Sequence, residues 1–563
     1  MTIPIAHSRH VATSVEREPS VDPDDLRAYV APLARALLAH ALGLGVAADL
    51  LLRDGITGLG LPLWLTLLAL GMLSLVWRGG RRLPREAGVW LLTAILFGAG
   101  IAWRAAGELQ FLDFLAMVLA LGMAAVALGN ARAALLAARL RDTVWAGAAI
   151  IRSVAAGLVP VALRDISLPL VQRELRGRLH PASRAVLIAL PLLVVFGSLL
   201  RGADPVFASI FALPELDLET IVSHVLVIGF FAWVVAGWAR GALIADLQRL
   251  RAPERMPFEL GLLDITTALG ALNALFALYV ATQLGWFFGG ERFLQARTGL
   301  TAAEYARQGF YQMVWVVVLV VPVLVGTRAA LRPGRELQRR HTVLALPLIA
   351  LLGAMILSAV LRMRLYVHYF GLTTDRLYPL VFMGWLAVVL LWMALTVLRG
   401  SGRSFVAGAV VTGLGTLVAL NLAVPDVIVA RANIARARTG MGGASPRLDV
   451  EHLARLSGEA VPLAVSAVLA APIGAPGSAE RAASERARCN ASRQLLSRWR
   501  PSAQEVARSD AQGAAWRTWN RGDALARRVV GDNASALVAV RYAACPHGVS
   551  RDGEASTSRG RGP

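Results

Sequence analysis

The chain has 563 residues, of which 56% are hydrophobic and 17% are charged, and its mean hydropathy is +0.57. This apolar share exceeds that of soluble globular domains and indicates a membrane protein. All 57 basic residues are arginine and give a net charge of +20, but they are scattered between apolar runs, a distribution that argues against nucleic-acid binding.

Residues 1–29 are polar and acidic and lack the apolar core of a signal peptide, so we predict a short cytoplasmic tail. A series of apolar runs follows. A helix of about 20 residues crosses the roughly 30 Å hydrocarbon core of a bilayer, so we interpret each run as a membrane-spanning helix. The predicted spans are Val30–Leu52, Leu59–Trp77, Ala87–Trp103, Phe111–Leu128, Ala185–Leu200, Ile221–Trp238, Leu262–Phe288, Gly309–Gly326, Val343–Leu361, Leu377–Leu398 and Phe405–Leu422.

These spans form two groups, a four-helix N-terminal membrane region over residues 30–128 and a seven-helix membrane core over 185–424. Residues 129–184 between them are predicted to be a cytoplasmic, arginine-rich linker. Within the linker, the apolar stretch 144–163 is interrupted by Arg152 and Pro160. We interpret this stretch as an amphipathic helix in the membrane interface, with a twelfth crossing as the alternative.

Arginine is distributed unequally between alternate loops. The loops on the N-terminal side of the bilayer hold about three times as many arginines as the loops on the other side. Because cytoplasmic loops retain positive charge, we predict a cytoplasmic N-terminus and an extracytoplasmic C-terminus.

After the last span the composition changes to alanine, arginine, serine and glutamate. Short amphipathic segments over 425–547 predict an extracytoplasmic helical domain, followed by a disordered tail over 548–563. Cys489 and Cys545 both lie in this domain, where an oxidising compartment would permit a disulfide, although two unpaired thiols fit the sequence equally well. The predicted fold class is all-α: a polytopic transmembrane helix bundle of about 11 spans with a C-terminal helical extramembrane domain.

Polar and aromatic residues collect at span ends and in loops on the predicted exterior side. Such groups near membrane depth mark interior contacts or a functional site. They could form an outward-facing polar cup that binds a polar head group or a small anion; alternatively, the tyrosines form an interfacial belt and the charged residues close the helix ends. The residues are Asp204, Glu304, Tyr305, Arg307, Tyr366, Tyr369, Thr373, Arg376 and Tyr378. No catalytic residue is identified, and no metal site or cofactor is expected, because no ligand spacing is present.

Five motifs stand out in the chain after residue 200: ADPVF at 203–207, EYARQGF at 304–310, LYVHYFGLTTDRLY at 365–378, PDVIVARAN at 425–433 and LDVEHLARLS at 448–457. In this order they resemble the motifs of a bacterial multi-spanning inner-membrane family catalogued as a domain of unknown function. The resemblance extends over about residues 199–462 and implies a multi-pass protein of the bacterial cytoplasmic membrane, with no reaction or ligand attached.

Three functions remain open. The first is an envelope anchor, sensing or partner-binding protein, supported by the size of the C-terminal domain. The second is a transporter or permease of a small polar solute, although neither an inverted repeat nor a pair of discontinuous helices is evident. The third is a membrane enzyme acting on envelope or lipid-linked substrates, which we place last because no catalytic constellation is visible. The expected partners are the lipid bilayer and either an envelope protein or a small polar ligand, and the sequence leaves the oligomeric state open.

Overall fold

The computed structural model describes residues 23–129, 140–161, 218–244, 259–298, 310–332, 334–396, 403–439, 448–471, 477–500 and 516–545. The helices up to residue 423 are α1 (Pro23–Leu52), α2 (Gly60–Arg78), α3 (Arg85–Trp103), α4 (Gly107–Gly129), α5 (Leu140–Ala156), α6 (Leu218–Leu243), α7 (Leu262–Thr298), α8 (Phe310–Ala329), α9 (Arg335–Phe370), α10 (Thr374–Thr396) and α11 (Arg403–Ala423). Beyond them lie α12 (Pro425–Thr439), α13 (Val450–Arg455), α14 (Val461–Ala470), α15 (Ala479–Trp499), α16 (Arg521–Asp532) and α17 (Ala534–Ala544).

This architecture confirms the all-α membrane fold. Within the described residues, nine helices are long and apolar enough to cross a bilayer, namely α1–α4, α6, α7 and α9–α11. Helix α8, which corresponds to the predicted span Gly309–Gly326, contributes a shorter apolar stretch, Gln312–Arg328. The predicted span Ala185–Leu200 lies outside the described residues, as do the end segments 1–22 and 546–563.

The first bundle consists of α1–α6 around one apolar core that includes Leu37, Leu65 and Met72. Helices α1 and α6 pack along each other and are also joined by polar groups at one end. There Asp49, which is almost fully buried, contacts His224 Nδ1 at 2.5 Å and accepts a hydrogen bond from Arg53 at 2.9 Å. Because both Asp49 and Arg53 lie at the C-terminal end of α1 and His224 near the start of α6, the two helices run antiparallel.

Helix α5 covers most of the stretch 144–163, over which the sequence predicts an interfacial helix, and that interpretation stays a prediction. The helix packs lengthwise against the second half of α6, and Ser153 Oγ donates to the carbonyl oxygen of Gly237 at 2.8 Å. A Cβ atom at Gly237 would lie 2.6 Å from the Ser153 carbonyl oxygen, so only glycine permits this approach. The apolar part of α5, Trp145–Ala156, is shorter than the roughly 20 residues that a crossing requires, and a twelfth crossing stays a prediction.

The second bundle consists of α7–α11 around a core that includes Leu348, Leu352 and Met383. Polar side chains inside it bind neighbouring helices: Asn273 Nδ2 donates to Leu344 O at 2.9 Å, and His341 Nε2 contacts Thr327 Oγ1 at 3.0 Å. Helix α11 packs against α10 of its own bundle and against α4 of the first. It therefore forms the seam between the two bundles.

Helices α12–α17 form a separate core that includes Val429, Val461, Leu495 and Val530. These helices correspond to the predicted C-terminal domain, and we refer to them by that name. Cys489 in α15 and Cys545 after α17 are bonded as a disulfide, with their Cα atoms 5.6 Å apart. The C-terminal domain sits on the bundle end formed by residues 52–60, 103–107 and 370–374, which we call the domain end.

Candidate functional site

The structure describes five of the nine residues of the predicted polar cup. Asp204, Glu304, Tyr305 and Arg307 lie outside the described residues. The structure places the other five around one turn at the domain end, between α9 and α10. They are Tyr366, Tyr369, Thr373, Arg376 and Tyr378.

Three of these residues build the turn itself. The Arg376 guanidinium donates to the Gly371 carbonyl and lies 4.2 Å from the centre of the Tyr366 ring. The Thr373 carbonyl accepts from the backbone N–H groups of Arg376 and Leu377, at 3.1 and 3.0 Å, and so begins α10. Gly371 has φ +81°, a left-handed conformation that favours glycine.

The same turn binds helix α12 of the C-terminal domain. Asn433 makes two hydrogen bonds to Leu372, accepting from its N–H at 2.9 Å and donating to its carbonyl at 2.7 Å. Arg436 Nη2 donates to the Tyr369 carbonyl at 2.5 Å. The backbone of this turn therefore binds the C-terminal domain to the bundle.

A second set of contacts between the bundle and the domain is buried. We call it the polar junction and define it as Arg104, Asp113, Asn421, Glu459 and Asn520. Arg104 and the following residue, Ala105, belong to the short loop between α3 and α4. The Ala105 N–H donates to Glu459 Oε1 at 2.8 Å, and the Arg104 guanidinium donates to the Asn421 carbonyl. This loop is thereby joined both to the end of α11 and to the domain.

Asn520 connects the two parts of the molecule through a single side chain, of which only 3% is exposed. Its Oδ1 accepts from the N–H groups of Gly522 and Asp523, at 2.9 and 3.2 Å, and so caps α16. Its Nδ2 donates to the carbonyls of Arg104 and Ile101, at 2.8 and 3.0 Å, where α3 ends. The Asn520 amide therefore caps α16 and shares the two carbonyls at the end of α3 with Gln110 Nε2, which donates to Arg104 O at 2.6 Å and to Ile101 O at 3.1 Å.

Asp113 is fully buried in α4, in the second turn of that helix. Asn421 Nδ2 of α11 donates to its Oδ1 at 2.8 Å, whereas Asp113 Oδ2 has no partner among the described residues. The contact joins the first bundle to the seam helix. A carboxyl group in this position is costly, so its partner is important to stability.

Burial also changes the acid–base properties of junction groups outside the spans. It lowers the pKa of the Arg104 guanidinium, a shift that the carboxylates of Glu459 and Asp113 oppose. It raises the pKa of Asp523, next to the junction, where Glu459 adds to the rise and Arg527 opposes it.

We expect Asn421→Leu to lower the free energy of unfolding by about 2 kcal/mol, because the buried Asp113 carboxyl loses its donor. Asp113→Asn should cost less than about 1 kcal/mol, because it removes the charge and keeps an amide pair. Unfolding in detergent micelles, followed by tryptophan fluorescence, gives both values. Equal losses for the two variants would contradict the assigned hydrogen bond.

We expect Asp523→Asn to stabilise the C-terminal domain at neutral pH. Because the folded-state pKa is raised, the carboxyl costs nothing below its unfolded pKa of about 3.9 and destabilises as pH rises from there through the folded pKa. Hydrogen exchange of α16 peptides between pH 4 and pH 7 measures the difference, which should vanish at the acid end. A constant gain across this range would assign the effect to packing instead.

Two large cavities open among the described residues. One, of about 970 Å³, lies in the C-terminal domain between α12, α14 and α15, and we call it the domain groove. Ile434, Leu448, Leu463 and Ala467 contribute to its apolar lining, and Arg431 and Arg438 stand on its α12 side. The other, of about 670 Å³, lies in the membrane region along the seam helix α11. The described residues contain no group of histidine, cysteine and carboxylate side chains that could hold a metal ion.

A model of a protein family described as "Domain of unknown function (DUF4153)" matches residues 91–467. The match begins within α3 and ends within α14, so it includes Arg104, Asp113, Asn421 and Glu459 and stops before Asn520. No curated protein and no solved structure matches the chain.

Proposed function

This chain belongs to the DUF4153 family, and on that premise we propose that it is a membrane-anchored binding protein of the bacterial cell envelope. In this proposal, the helix bundle holds the C-terminal domain on the outer face of the inner membrane. The domain groove then receives a segment of an envelope protein. The observation that carries the proposal is the polar junction, because it fixes the domain to the bundle through buried, geometrically specific hydrogen bonds.

The placement of the domain outside the cytoplasm has two independent supports. At the opposite end of the bundle, the segments Arg78–Arg85 and Arg328–Arg340 together hold nine arginines, an excess that is typical of the cytoplasmic side. The domain itself contains the disulfide between Cys489 and Cys545, a bond that persists in oxidising compartments and is rare in the cytosol.

The lining of the domain groove favours an apolar and acidic protein segment as the occupant. Its floor is made of aliphatic side chains from three helices, several of them alanines that leave room for a close approach. Arg431 and Arg438 are exposed on its α12 side, where they would pair with carboxylates of the partner. Binding of an amphipathic segment in a groove is a common mode of peptide recognition.

Transport has less support. Polar side chains within the described spans bind their neighbours in separate local pairs, such as Asn273 with Leu344 and His40 with Ser74. Neither large cavity forms a polar path at mid-membrane depth, since the one in the membrane region is lined almost entirely by apolar side chains.

Complementation of a deletion strain with groove variants tests the proposal. Ala483→Trp fills the groove from α15, and Ala482→Trp places the same side chain on the exposed face of that helix. We expect Ala482→Trp to restore the wild-type envelope-stress profile and Ala483→Trp to fail, at equal amounts of protein in the membrane. Arg431→Glu should fail as well, because it removes the charge complementarity.

The proposal is wrong if Ala483→Trp complements as well as Ala482→Trp. A deletion strain that differs from wild type only in the accumulation of a small solute, restored equally by both tryptophan variants, would favour the transporter instead.

A further inference from the structure

The seam between the two bundles contains a second candidate site that the proposed function does not use. Here α11 forms the back wall, α4 one side, and α8 and α10 the other, around the cavity of about 670 Å³. We call it the seam groove. Its walls are apolar, with Leu119 and Leu414 facing the aromatic rings of Trp315 and Trp385.

The seam groove opens sideways, toward the position of the lipid. Among its lining residues, Leu115 is 47% exposed and Trp315 is 63% exposed, although both lie in apolar helices of the membrane region. In a bilayer these side chains contact acyl chains and not water. The volume of the cavity lies in the range of small-molecule sites. Because its lining is apolar, one acyl chain of a lipid would fit it.

One polar group stands at the domain end of the seam groove. Tyr378 lines the groove near the start of α10, and its hydroxyl is buried without a partner among the described residues. The side chains packed with it are apolar, among them Leu109 and Leu420. Because an unpaired buried hydroxyl is costly, the site favours a ligand with a hydrogen-bonding group at this depth. Tyr378 follows shortly after the turn at Gly371 and therefore lies near the helix ends. This is the level at which lipid headgroups lie.

The charges around Tyr378 indicate which headgroup would fit. Carboxylates of Glu108, Asp113, Asp426 and Glu459 lie within electrostatic range of its hydroxyl. Of these, Asp113, Asp426 and Glu459 each have a buried oxygen without a hydrogen-bond partner among the described residues. Arg104 offsets part of this negative charge: its guanidinium donates to the Asn421 carbonyl, and its buried Nε has no partner among the described residues. The carboxylates are not among the described residues that line the groove, so their charge acts through space on a ligand beside Tyr378 and favours a cation there.

We propose that the seam groove binds one aminophospholipid, with an acyl chain along α4 and α11 and the primary ammonium group of the headgroup beside Tyr378. The ammonium donates an N–H to the Tyr378 hydroxyl, and the charge of the nearby carboxylates favours the cation there. Such a lipid would fill the gap between the two bundles and contact both of them. This site is independent of the partner that the domain groove would bind.

Native mass spectrometry of the full chain tests this site. Protein is exchanged in detergent against an equimolar mixture of phosphatidylethanolamine and phosphatidylglycerol with identical acyl chains, and retained lipid is counted. We expect one tightly retained lipid per chain, with phosphatidylethanolamine preferred about tenfold, the ratio that roughly one charge-assisted hydrogen bond provides.

Three variants locate the binding. Thr416→Phe fills the seam groove without breaking a contact between helices, because the Thr416 hydroxyl donates to Thr412 of its own helix. Val418→Phe adds the same ring on an exposed face of α11 and serves as its control. Tyr378→Phe removes only the hydroxyl. We expect Thr416→Phe to lose the retained lipid, Val418→Phe to keep it, and Tyr378→Phe to keep it with a preference reduced about threefold or more.

Equal retention of the two lipids, or a preference for phosphatidylglycerol, would overturn the assignment of the headgroup. Retention by Thr416→Phe at the level of Val418→Phe would place the lipid elsewhere. A wild-type chain that retains no lipid would overturn the proposal as a whole. None of these outcomes bears on complementation by the domain-groove variants, so the two proposals can fail separately.

Discussion

Replacing Cys489 and Cys545 together by serine should lower the free energy of unfolding of the C-terminal domain by about 4 kcal/mol. The bond closes a loop with a sequence separation of 56 residues, and its loss releases that loop in the unfolded chain. Small extramembrane domains depend strongly on such bonds, since their cores are limited. Hydrogen exchange of peptides from α15 and α17 measures the loss region by region.

Reduction of the wild-type protein is the matched control for this variant. It should produce the same increase in exchange, and reductant should change nothing further in the double serine variant. If the wild-type domain keeps its protection under reducing conditions, the disulfide does not stabilise the domain.

Replacing Asn520 by alanine should weaken the attachment of the C-terminal domain to the bundle by about 2 kcal/mol. The variant removes the N-cap of α16, worth about 1 kcal/mol, and one of the donors to the carbonyls of Ile101 and Arg104, at about 1 kcal/mol for the two together, because Gln110 Nε2 still donates to both. We expect faster proteolysis near residues 516–520 and increased exchange at the end of α3.

Asn533→Ala provides the comparison for Asn520→Ala. Asn533 lies between α16 and α17, and its side chain donates to the Val529 carbonyl of α16 at 2.8 Å. This contact lies within the C-terminal domain and does not join the domain to the bundle. The variant should leave exchange at the end of α3 unchanged. If both asparagine variants affect that region equally, the polar junction does not hold the domain in place.

The membrane fold was largely predictable because its signal is local. A run of about 20 apolar residues specifies a crossing helix whatever its neighbours are, and the described spans lie close to the predicted ones. The bounds were less accurate where polar residues continue a helix. Helix α9 extends from Arg335 to Phe370, well beyond the predicted Val343–Leu361, because backbone hydrogen bonding continues through charged turns.

The contact between α5 and α6 could not be predicted from the sequence. The composition of the segment 144–163, with Arg152 and Pro160 in an apolar stretch, is typical of an interfacial helix. Helix α5 packs against α6 at Gly237, a small residue of α6 that lies 84 residues after Ser153 in the sequence. Periodicity within the segment carries no information about that contact.

The candidate site was predictable only in part. The turn residues Tyr366, Thr373 and Arg376 were found because polar groups at span ends stand out in the sequence, although their contacts are structural. Asp113 could also have been found, since it is an acid inside an apolar run. The rest of the junction could not, because it joins positions as distant as Arg104 and Asn520, which are 416 residues apart. No local pattern records such a contact.

The compartment of the C-terminal domain is the most direct test of this account. Right-side-out spheroplasts are treated with a membrane-impermeant reductant and then with a membrane-impermeant alkylating reagent, and the mass of the Cys489 and Cys545 peptides is measured. We predict that both cysteines are labelled in intact spheroplasts, and only after reduction. Labelling that requires permeabilised membranes and no reductant would place the domain in the cytosol and contradict the proposed anchor.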